Sequence, residues 1–226
     1  MILSINLITY QSETEWVSES LAFFHRTILN EISEAKDEDI HVILSGGNSP
    51  IPLYRRFFEL NLPWEKFHFW LADERCVPYA HSDRSEPNIK SAIGSLVLNR
   101  ANFHSVPEGE PKATAEFMNE IIKKVSSFHF TILGIGEDGH IASIFPGENS
   151  NKQLEPNDMI PIYNSPKPPK KRTSLSIGCI NRSNHILFLT KGNGKKNILE
   201  EVKKGTELPA NLVFGKKSSQ IYFCTE

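Results

Sequence analysis

An apolar run leads directly into a glycine-rich turn in the stretch Thr131-Ile132-Leu133-Gly134-Ile135-Gly136-Glu137-Asp138-Gly139-His140-Ile141-Ala142-Ser143-Ile144-Phe145-Pro146-Gly147. The apolar part predicts a strand over Phe128–Leu133. Glycines let a backbone take positive φ and approach a ligand closely, so the turn suits a binding site. Histidine is the side chain that titrates nearest to neutral pH. Because an acid stands two residues before it, His140 is predicted to be a proton-transfer group.

Bulk composition limits the class of protein. The chain has 226 residues, of which 39% are hydrophobic and 23% charged, enough for one sizeable core. Its formal net charge of −2 provides no basic surface for nucleic acid. The N-terminus lacks the features of a signal peptide, and no apolar run approaches the roughly 20 residues of a membrane span. The cysteines (Cys76, Cys179 and Cys224) are scattered and odd in number, which argues against disulfides or zinc and favours a reducing cytoplasm.

Predicted strands and helices alternate along the chain. Apolar runs predict strands at Ile40–Leu44, Phe67–Leu71, near Phe103, at Phe128–Leu133, near Ile160, and over 185–189 and 220–224. Helical spacing predicts helices over about 12–32, 52–60, 88–98, 116–125 and 193–203, with a capping box from Ser12 to Glu15 in the first. The segment 146–171, rich in Pro, Asn and Lys, is predicted to be a long functional loop region. This alternation predicts an α/β fold with a mainly parallel sheet.

Polar clusters follow several of the predicted strands. They cover residues 45–49, 73–75, 134–140 and 190–195. Ligands of parallel sheets bind outside the carboxyl ends of the strands, where successive loops meet at one edge. The sequence therefore predicts that these clusters converge on a single site.

Several polar segments also have a second interpretation. The segment 134–139 matches a dinucleotide fingerprint with Asp158 further on, but Pro146 and Gly147 would stop the helix that this motif requires. The turn over 45–50 is consistent with a small-anion site or with a tight turn before a helix, and it lacks the lysine of a P-loop. The segments 73–75 and 167–172 could be solvated charges or phosphate ligands. The other histidines have no comparable turn: His41, His68, His129 and His185 fall in predicted strands, and His81 falls in a polar loop.

Taken in order, these segments resemble the 6-phosphogluconolactonase family, a branch of the group that also contains glucosamine-6-phosphate deaminases. The similarity covers about residues 40 to 215 and rests on residues 44–50, 73–78, 133–147, 165–175, 187–195 and 208–210. The ending Ser143-Ile144-Phe145-Pro146-Gly147 resembles the lactonases, because deaminases usually continue toward an Asn-Glu-Pro segment. Asn48 stands at a position where the family usually has a hydroxyl residue or Arg. The usual Ser-Asn pair after Pro78 is also missing, and Ser85 or Asn88 could replace it.

The resemblance implies a fold and a reaction. The fold would be a Rossmann-like, doubly wound sheet with helices on both faces (NagB/RpiA-like), as a single domain over residues 1–226. The reaction would be hydrolysis of 6-phospho-D-glucono-1,5-lactone by water. His140 would be the base, Asp138 would orient it or bind sugar hydroxyls, and amides near Gly46, Gly47 or Gly136 would stabilise the oxyanion. Phosphate or sugar would be bound by Asn48, Asp73, Arg75, Lys167, Arg172 and Lys195.

The expected partner is the sugar-phosphate lactone alone, with no nucleic acid, membrane, metal or organic cofactor. A monomer or weak homodimer is expected. Two alternatives stay open at this point. One is a deaminase or isomerase acting on an amino-sugar phosphate, with Asp73 as the base, and the other is a non-catalytic sugar-phosphate sensor.

Overall fold

The computed structural model describes residues 6–35, 38–147 and 158–226. Within these ranges the strands are β1 (Asn6–Tyr10), β2 (Ile40–Leu44), β3 (Phe67–Leu71), β4 (Asp73–Arg75), β5 (Asn102–His104), β6 (Phe128–Leu133), β7 (Met159–Ile162), β8 (Arg172–Leu175), β9 (Ser183–Lys191) and β10 (Ser218–Cys224). The helices are α1 (Glu13–Ala35), α2 (Ile51–Tyr54), α3 (Ser85–Ile93), α4 (Ser95–Leu98), α5 (Pro111–Ile122), α6 (Ile177–Ile180) and α7 (Lys196–Lys203).

A parallel sheet forms the centre of the fold. Its strands lie in the order β1-β10-β9-β6-β2-β3-β5, and every pairing in it is parallel. From β5 to β10 this is the order of the doubly wound dinucleotide-binding sheet, and β1 adds an outer strand beside β10. The chain runs from β2 outward to β5 and then returns to β6 on the other side of β2. The connections after β2 and β6 therefore diverge and open a crevice at their carboxyl ends.

The sheet is covered on both faces. All residues of Phe128–Leu133 are buried, although successive residues of a strand point to opposite faces. The long helix α1 packs on one face, where the Trp16 indole Nε1 donates a hydrogen bond to the carbonyl of Tyr222 at 3.0 Å. The Ser12 hydroxyl accepts the Glu15 N–H at 3.5 Å, as the predicted cap requires. The predicted α/β class and mainly parallel sheet are confirmed.

A second, antiparallel sheet stands beside the carboxyl edge. It consists of β4, β8 and β7, and it pairs Asp73 with Ser174 and Arg75 with Arg172. The sequence analysis placed the predicted strand near Ile160 correctly, but it treated 73–75 and 167–172 as loop clusters. All of Asp73–Arg75 forms β4, and Arg172 begins β8, because these segments pair with each other. Neither segment reveals this pairing by itself.

Two predicted helices are interrupted. The helix predicted over 88–98 is divided into α3 and α4 by Gly94, whose φ of 78° is outside the helical region. The one predicted over 52–60 is the short α2 followed by a 3₁₀ turn at Phe57–Glu59. A third helix, α5, begins at Pro111, five residues earlier than predicted. The fixed φ of a proline suits the first turn of a helix.

Several histidines pack together near the amino ends of the central strands, away from the crevice. The Trp70 Nε1 donates to His41 Nδ1 at 3.1 Å, and His104 stacks on the Trp70 ring with the centroids 3.6 Å apart. Burial lowers the pKa of His41 and of His104 to about 4, so both are neutral packing groups at neutral pH. None of the described helices is long and apolar enough to cross a membrane. The prediction about a signal peptide concerns residues 1–5, which lie outside the described residues.

Candidate active site

A cleft of about 340 Å³ opens at the carboxyl ends of β2, β3, β6 and β9. The loops after these neighbouring strands and the segment before β8 contribute its walls. The predicted site residues that line it are Gly46, Gly47, Asn48, Asp73, Arg75, Gly136, His140, Lys167, Arg172 and Lys195. Asp138 contacts His140 from the same turn. The structure thus brings together residues from every polar cluster that the sequence analysis identified.

His140 and Asp138 form a hydrogen-bonded pair. Asp138 Oδ1 contacts the ring Nδ1 of His140 and also accepts its backbone N–H at 3.3 Å. The ring packs against Phe145, with the ring centroids 4.5 Å apart, and the His140 side chain is only 19% exposed. Because Asp138 engages Nδ1, the nitrogen left for chemistry is Nε2.

The electrostatics of this pair favour a neutral imidazole. Burial lowers the pKa of His140, the hydrogen bond and charge of Asp138 oppose that shift, and the Lys167 charge adds to it. Burial alone would raise the pKa of Asp138, but the interactions with His140 and Lys167 lower it overall. Lys167 Nζ lies 3.7 Å from Asp138 Oδ2. A neutral imidazole beside an ionised carboxylate can accept a proton from water near neutral pH.

Gly136 is required by the position of the imidazole. A Cβ at this residue would overlap ring atoms of His140, and the Gly136 N–H donates to the His140 carbonyl at 2.8 Å. The Gly136 N–H is thus already bonded within the turn, and stabilisation of an oxyanion by amides near Gly136 stays a prediction. The N–H groups of Gly46 and Gly47 donate to no described residue.

Arg172 shapes the wall of the cleft that carries Lys167. Its Nε donates to the Pro169 carbonyl at 2.9 Å, and its Nη2 donates to the carbonyls of Lys167 and Pro168, each at 3.0 Å. Its Nη1 lies 4.0 Å from Asp73 Oδ2. Most of its donors are thus engaged by the protein, so Arg172 holds the loop in place. Direct binding of phosphate by Arg172 stays a prediction.

Asp73 is buried at the base of the cleft. The Ser143 hydroxyl donates to Asp73 Oδ2, and the Ser143 N–H donates to Ser174 Oγ at 3.2 Å. Ser143 therefore connects the histidine turn to the small sheet. The sequence analysis quoted Ser143 as part of a motif but assigned it no role, because its partner lies 70 residues away.

A buried ion network positions Arg75 and the start of α3. The Glu74 carboxylate is fully buried and accepts the N–H groups of Arg75, Ser85 and Glu86 at 2.7–2.8 Å. Arg84 lies 4.0 Å from Glu74 and donates to the carbonyls of Val77 and Val106. The sequence analysis gave no role to Glu74 by itself and missed Arg84. Charged residues are usually exposed, and the neighbouring sequence does not show that these two are buried.

The structure also places several other residues that the sequence analysis weighed. The described chain from Gly139 to Gly147 forms turns and a bridge between Ile141 and Ile144, so the helix that a dinucleotide fingerprint needs is absent there. Asp158 forms an ion pair with Arg182 at 3.2 Å. His81 is exposed and accepts the Asp83 N–H. Of the two candidates for the missing serine–asparagine pair, Ser85 lines the cleft and Asn88 lines the adjoining cavity, so the choice between them stays open.

A doubly wound sheet with a His–Asp pair and several cations at its carboxyl edge defines the class of α/β enzymes that act on small anionic substrates. The chain belongs to the family described as glucosamine-6-phosphate isomerases/6-phosphogluconolactonase, which it matches over residues 13–223.

Known proteins of this family resemble the chain over most of its length. It is 37% identical over 199 residues to the 6-phosphogluconolactonase of Thermotoga maritima, covering 86% of this chain and 88% of that protein. It is 34% identical over 173 residues to the 6-phosphogluconolactonase of Synechocystis, covering 71% and 70%. A crystal structure of 6-phosphogluconolactonase from Thermotoga maritima superposes with a TM-score of 0.84 and 30% identity, covering 98% of this chain and all of that one.

Proposed function

We propose that the chain hydrolyses 6-phospho-D-glucono-1,5-lactone to 6-phospho-D-gluconate, a step of the oxidative pentose phosphate pathway. The observation that carries this proposal is the imidazole of His140, held by Asp138 in a cleft lined by cations. The relatives named 6-phosphogluconolactonase support the same activity.

The reaction needs an activated water, an oxyanion site and a proton for the leaving oxygen. Nε2 of His140 takes a proton from water while the water oxygen bonds to the lactone carbonyl carbon. The resulting oxyanion is stabilised by the N–H groups of Gly46 and Gly47. The bond from the carbonyl carbon to the ring oxygen then breaks, and Nε2 returns its proton to that oxygen. No described serine or cysteine is hydrogen-bonded to His140 through its side chain, which favours direct attack by water over an acyl-enzyme.

Substrate binding uses the other walls of the cleft. Arg75, Lys167 and Lys195 supply a positive potential for a phosphorylated substrate, and Arg172 orders the loop that carries Lys167. Asn48 and Asp73 provide acceptors for sugar hydroxyls. Binding a remote phosphate would position the reacting carbonyl beside His140.

Hydrolysis of freshly generated lactone, corrected for spontaneous opening, tests the proposal. His140→Ala should lower kcat by roughly 10²–10⁴-fold, the contribution of a general base, without loss of the folded state by circular dichroism. A matched His81→Ala variant alters an exposed histidine outside the cleft and should keep the wild-type rate. An unchanged rate in His140→Ala would exclude this residue as the base.

The second candidate is a deaminase or isomerase of the same family, since Asp73 lies in the cleft as a carbon-acid base would. Ammonia release from glucosamine 6-phosphate, with no lactone hydrolysis, would favour it. Tight binding of a sugar phosphate with no turnover would indicate a sensor.

We further propose that the chain is a single domain, a monomer or weak homodimer, and located in the cytoplasm. The three free thiols (Cys76, Cys179 and Cys224) support a reducing compartment. Sedimentation equilibrium and cell fractionation test these points.

A further inference from the structure

Five of the eight histidines form a row across the central sheet, away from the catalytic cleft. They lie on the adjacent strands β9, β6, β2, β3 and β5, and in that order they are His185, His129, His41, His68 and His104. The first four are the second or third residues of their strands, and His104 on the short β5 contacts His68. We call this set the histidine row.

Two rings of the row accept hydrogen bonds from groups that can only donate. Nδ1 of His41 accepts the indole N–H of Trp70 at 3.1 Å, and Nδ1 of His129 accepts the backbone N–H of His41 at 3.0 Å. A protonated ring nitrogen has no lone pair to offer, so neither bond survives protonation of the nitrogen that accepts it. With these bonds formed, each ring carries its one proton on Nε2 and is uncharged.

A third hydrogen bond within the row also needs an uncharged ring. Nδ1 of His68 and Nε2 of His104 lie 2.8 Å apart, so one of these nitrogens donates and the other accepts. If both rings were charged, two N–H groups would face each other at this distance. The ring centroids of His41 and His68 are 4.9 Å apart, and those of His68 and His104 are 5.1 Å apart. Charging neighbouring rings would therefore also bring like charges close together.

Acidic residues contact only two members of the row. Asp39 Oδ2 lies 3.3 Å from Nε2 of His68, and Glu31 Oε1 on α1 lies 3.1 Å from Nε2 of His185. The same oxygen of Glu31 accepts from Lys217 Nζ at 2.6 Å, so its charge is already balanced. The row thus has little negative charge available to stabilise several protonated rings at once.

The other charged groups that face the row lie at its margins. They are Glu34 on α1, Glu38 before β2 and Lys124 after α5. Among the described carboxylates, none forms an ion pair with His41, His104 or His129. Protons taken up by these three rings would be stabilised by no close counter-charge.

The environment of the row agrees with these contacts. Burial lowers the pKa of His41 and of His104 to about 4, and it also lowers the pKa of His129 and of His185. In the unfolded chain a histidine has its ordinary pKa of about 6.5. Between these pH values the folded protein binds fewer protons than the unfolded chain, so its stability must fall as the pH falls from about 6.5 toward 4.

We propose that the histidine row is an acid-sensitive latch: it holds β2, β3, β5 and β6 together while its rings are uncharged, and protonation of the rings unfolds the protein. The catalytic cleft at the other edge takes its walls from the loops after β2, β3 and β6, so it is lost when these strands separate. Acid inactivation would thus begin at histidines far from His140. The proposal does not depend on which reaction the cleft catalyses.

The test measures the unfolding equilibrium in urea at pH 7.5 and pH 5 for wild type, His41→Asn and His104→Phe. The Asn side-chain oxygen can accept from Trp70 in place of Nδ1, Phe keeps an aromatic ring stacked on Trp70, and neither side chain titrates. From its two pKa values, each histidine should raise the unfolding constant roughly 25-fold between pH 7.5 and 5. In each variant the change between the two pH values should be smaller than in wild type by about that factor, whatever the stability at pH 7.5.

His81→Asn is the matched control, because it removes an exposed histidine outside the row, and it should keep the wild-type pH dependence. A second measurement uses wild type alone and so does not require a variant to fold. In the folded protein at pH 5.5, the ring NMR signals of His41 and His104 should be those of neutral imidazoles. Charged rings in the folded protein at that pH, or a wild-type pH dependence in both row variants, would overturn the proposal.

Discussion

Asp138→Asn is the most informative substitution, because it changes the charge beside the base with almost no change in volume. In wild type the Asp138 carboxylate accepts from Nδ1 of His140, which leaves Nε2 unprotonated toward the cleft. An amide NH₂ at position 138 can donate to Nδ1 instead, and the ring proton would then sit on Nε2. In that tautomer Nε2 cannot accept a proton from water.

The size of the effect follows from this geometry. Loss of the correct tautomer removes general-base catalysis, so kcat should fall by about 10²–10⁴-fold with little change in KM. The hydrogen bond and charge of Asp138 oppose the effect of burial on His140, so removing them should lower the pKa of His140 further. Since the base acts when neutral, the acid limb of the residual kcat/KM should move to lower pH.

The assay is lactone hydrolysis from pH 5 to 8 with the spontaneous rate subtracted at each pH, combined with NMR titration of the His140 ring. Circular dichroism confirms that the variant is folded. A variant with kcat within twofold of wild type, or an acid limb that moves to higher pH, would refute the argued roles of both residues.

Two further predictions follow from named contacts. Lys167→Met removes a positive charge that lowers the pKa of His140, so the acid limb of kcat/KM should move to higher pH. Lys170→Met, on the same loop, should leave the acid limb in place. Arg84→Met leaves the carboxylate of Glu74 buried without its cation, so the free energy of unfolding in urea should fall by about 3 kcal/mol or more. A smaller loss would show that the N–H groups bonded to Glu74 are enough to stabilise its buried carboxylate. Its control is Arg100→Met, where an exposed pair with Glu65 is lost and about 1 kcal/mol or less is expected.

The central strands could be predicted because their signal is local. Phe67–Leu71 and Phe128–Leu133 are continuous apolar runs bounded by polar residues, and the structure has strands with these bounds. β1 was missed because Asn6–Tyr10 mixes polar and apolar residues at the sheet edge, with only Tyr10 buried, and offers no such run. The order of the strands could not be predicted from any single segment. The position of β6 beside β2 depends on how the connections between the strands pack on the sheet.

The candidate site also contains some residues that the sequence identifies and others that it does not. The pair of Asp138 and His140 lies within one turn, so glycines and residue types two positions apart were enough to identify it. The role of Ser143 depends on contacts with Asp73 and Ser174, which lie far along the chain, and it emerged only when β4 paired with β8.

By itself, the sequence determined the α/β class, the strands of the crevice and the turn that carries His140, since each is specified by neighbours within a few residues. Only the tertiary structure decided that the Gly136 amide is bonded within the turn, that Arg172 holds a loop, and that Lys167 lies beside Asp138. Which charges are balanced depends on distances between segments distant in sequence, and chain folding alone sets those distances.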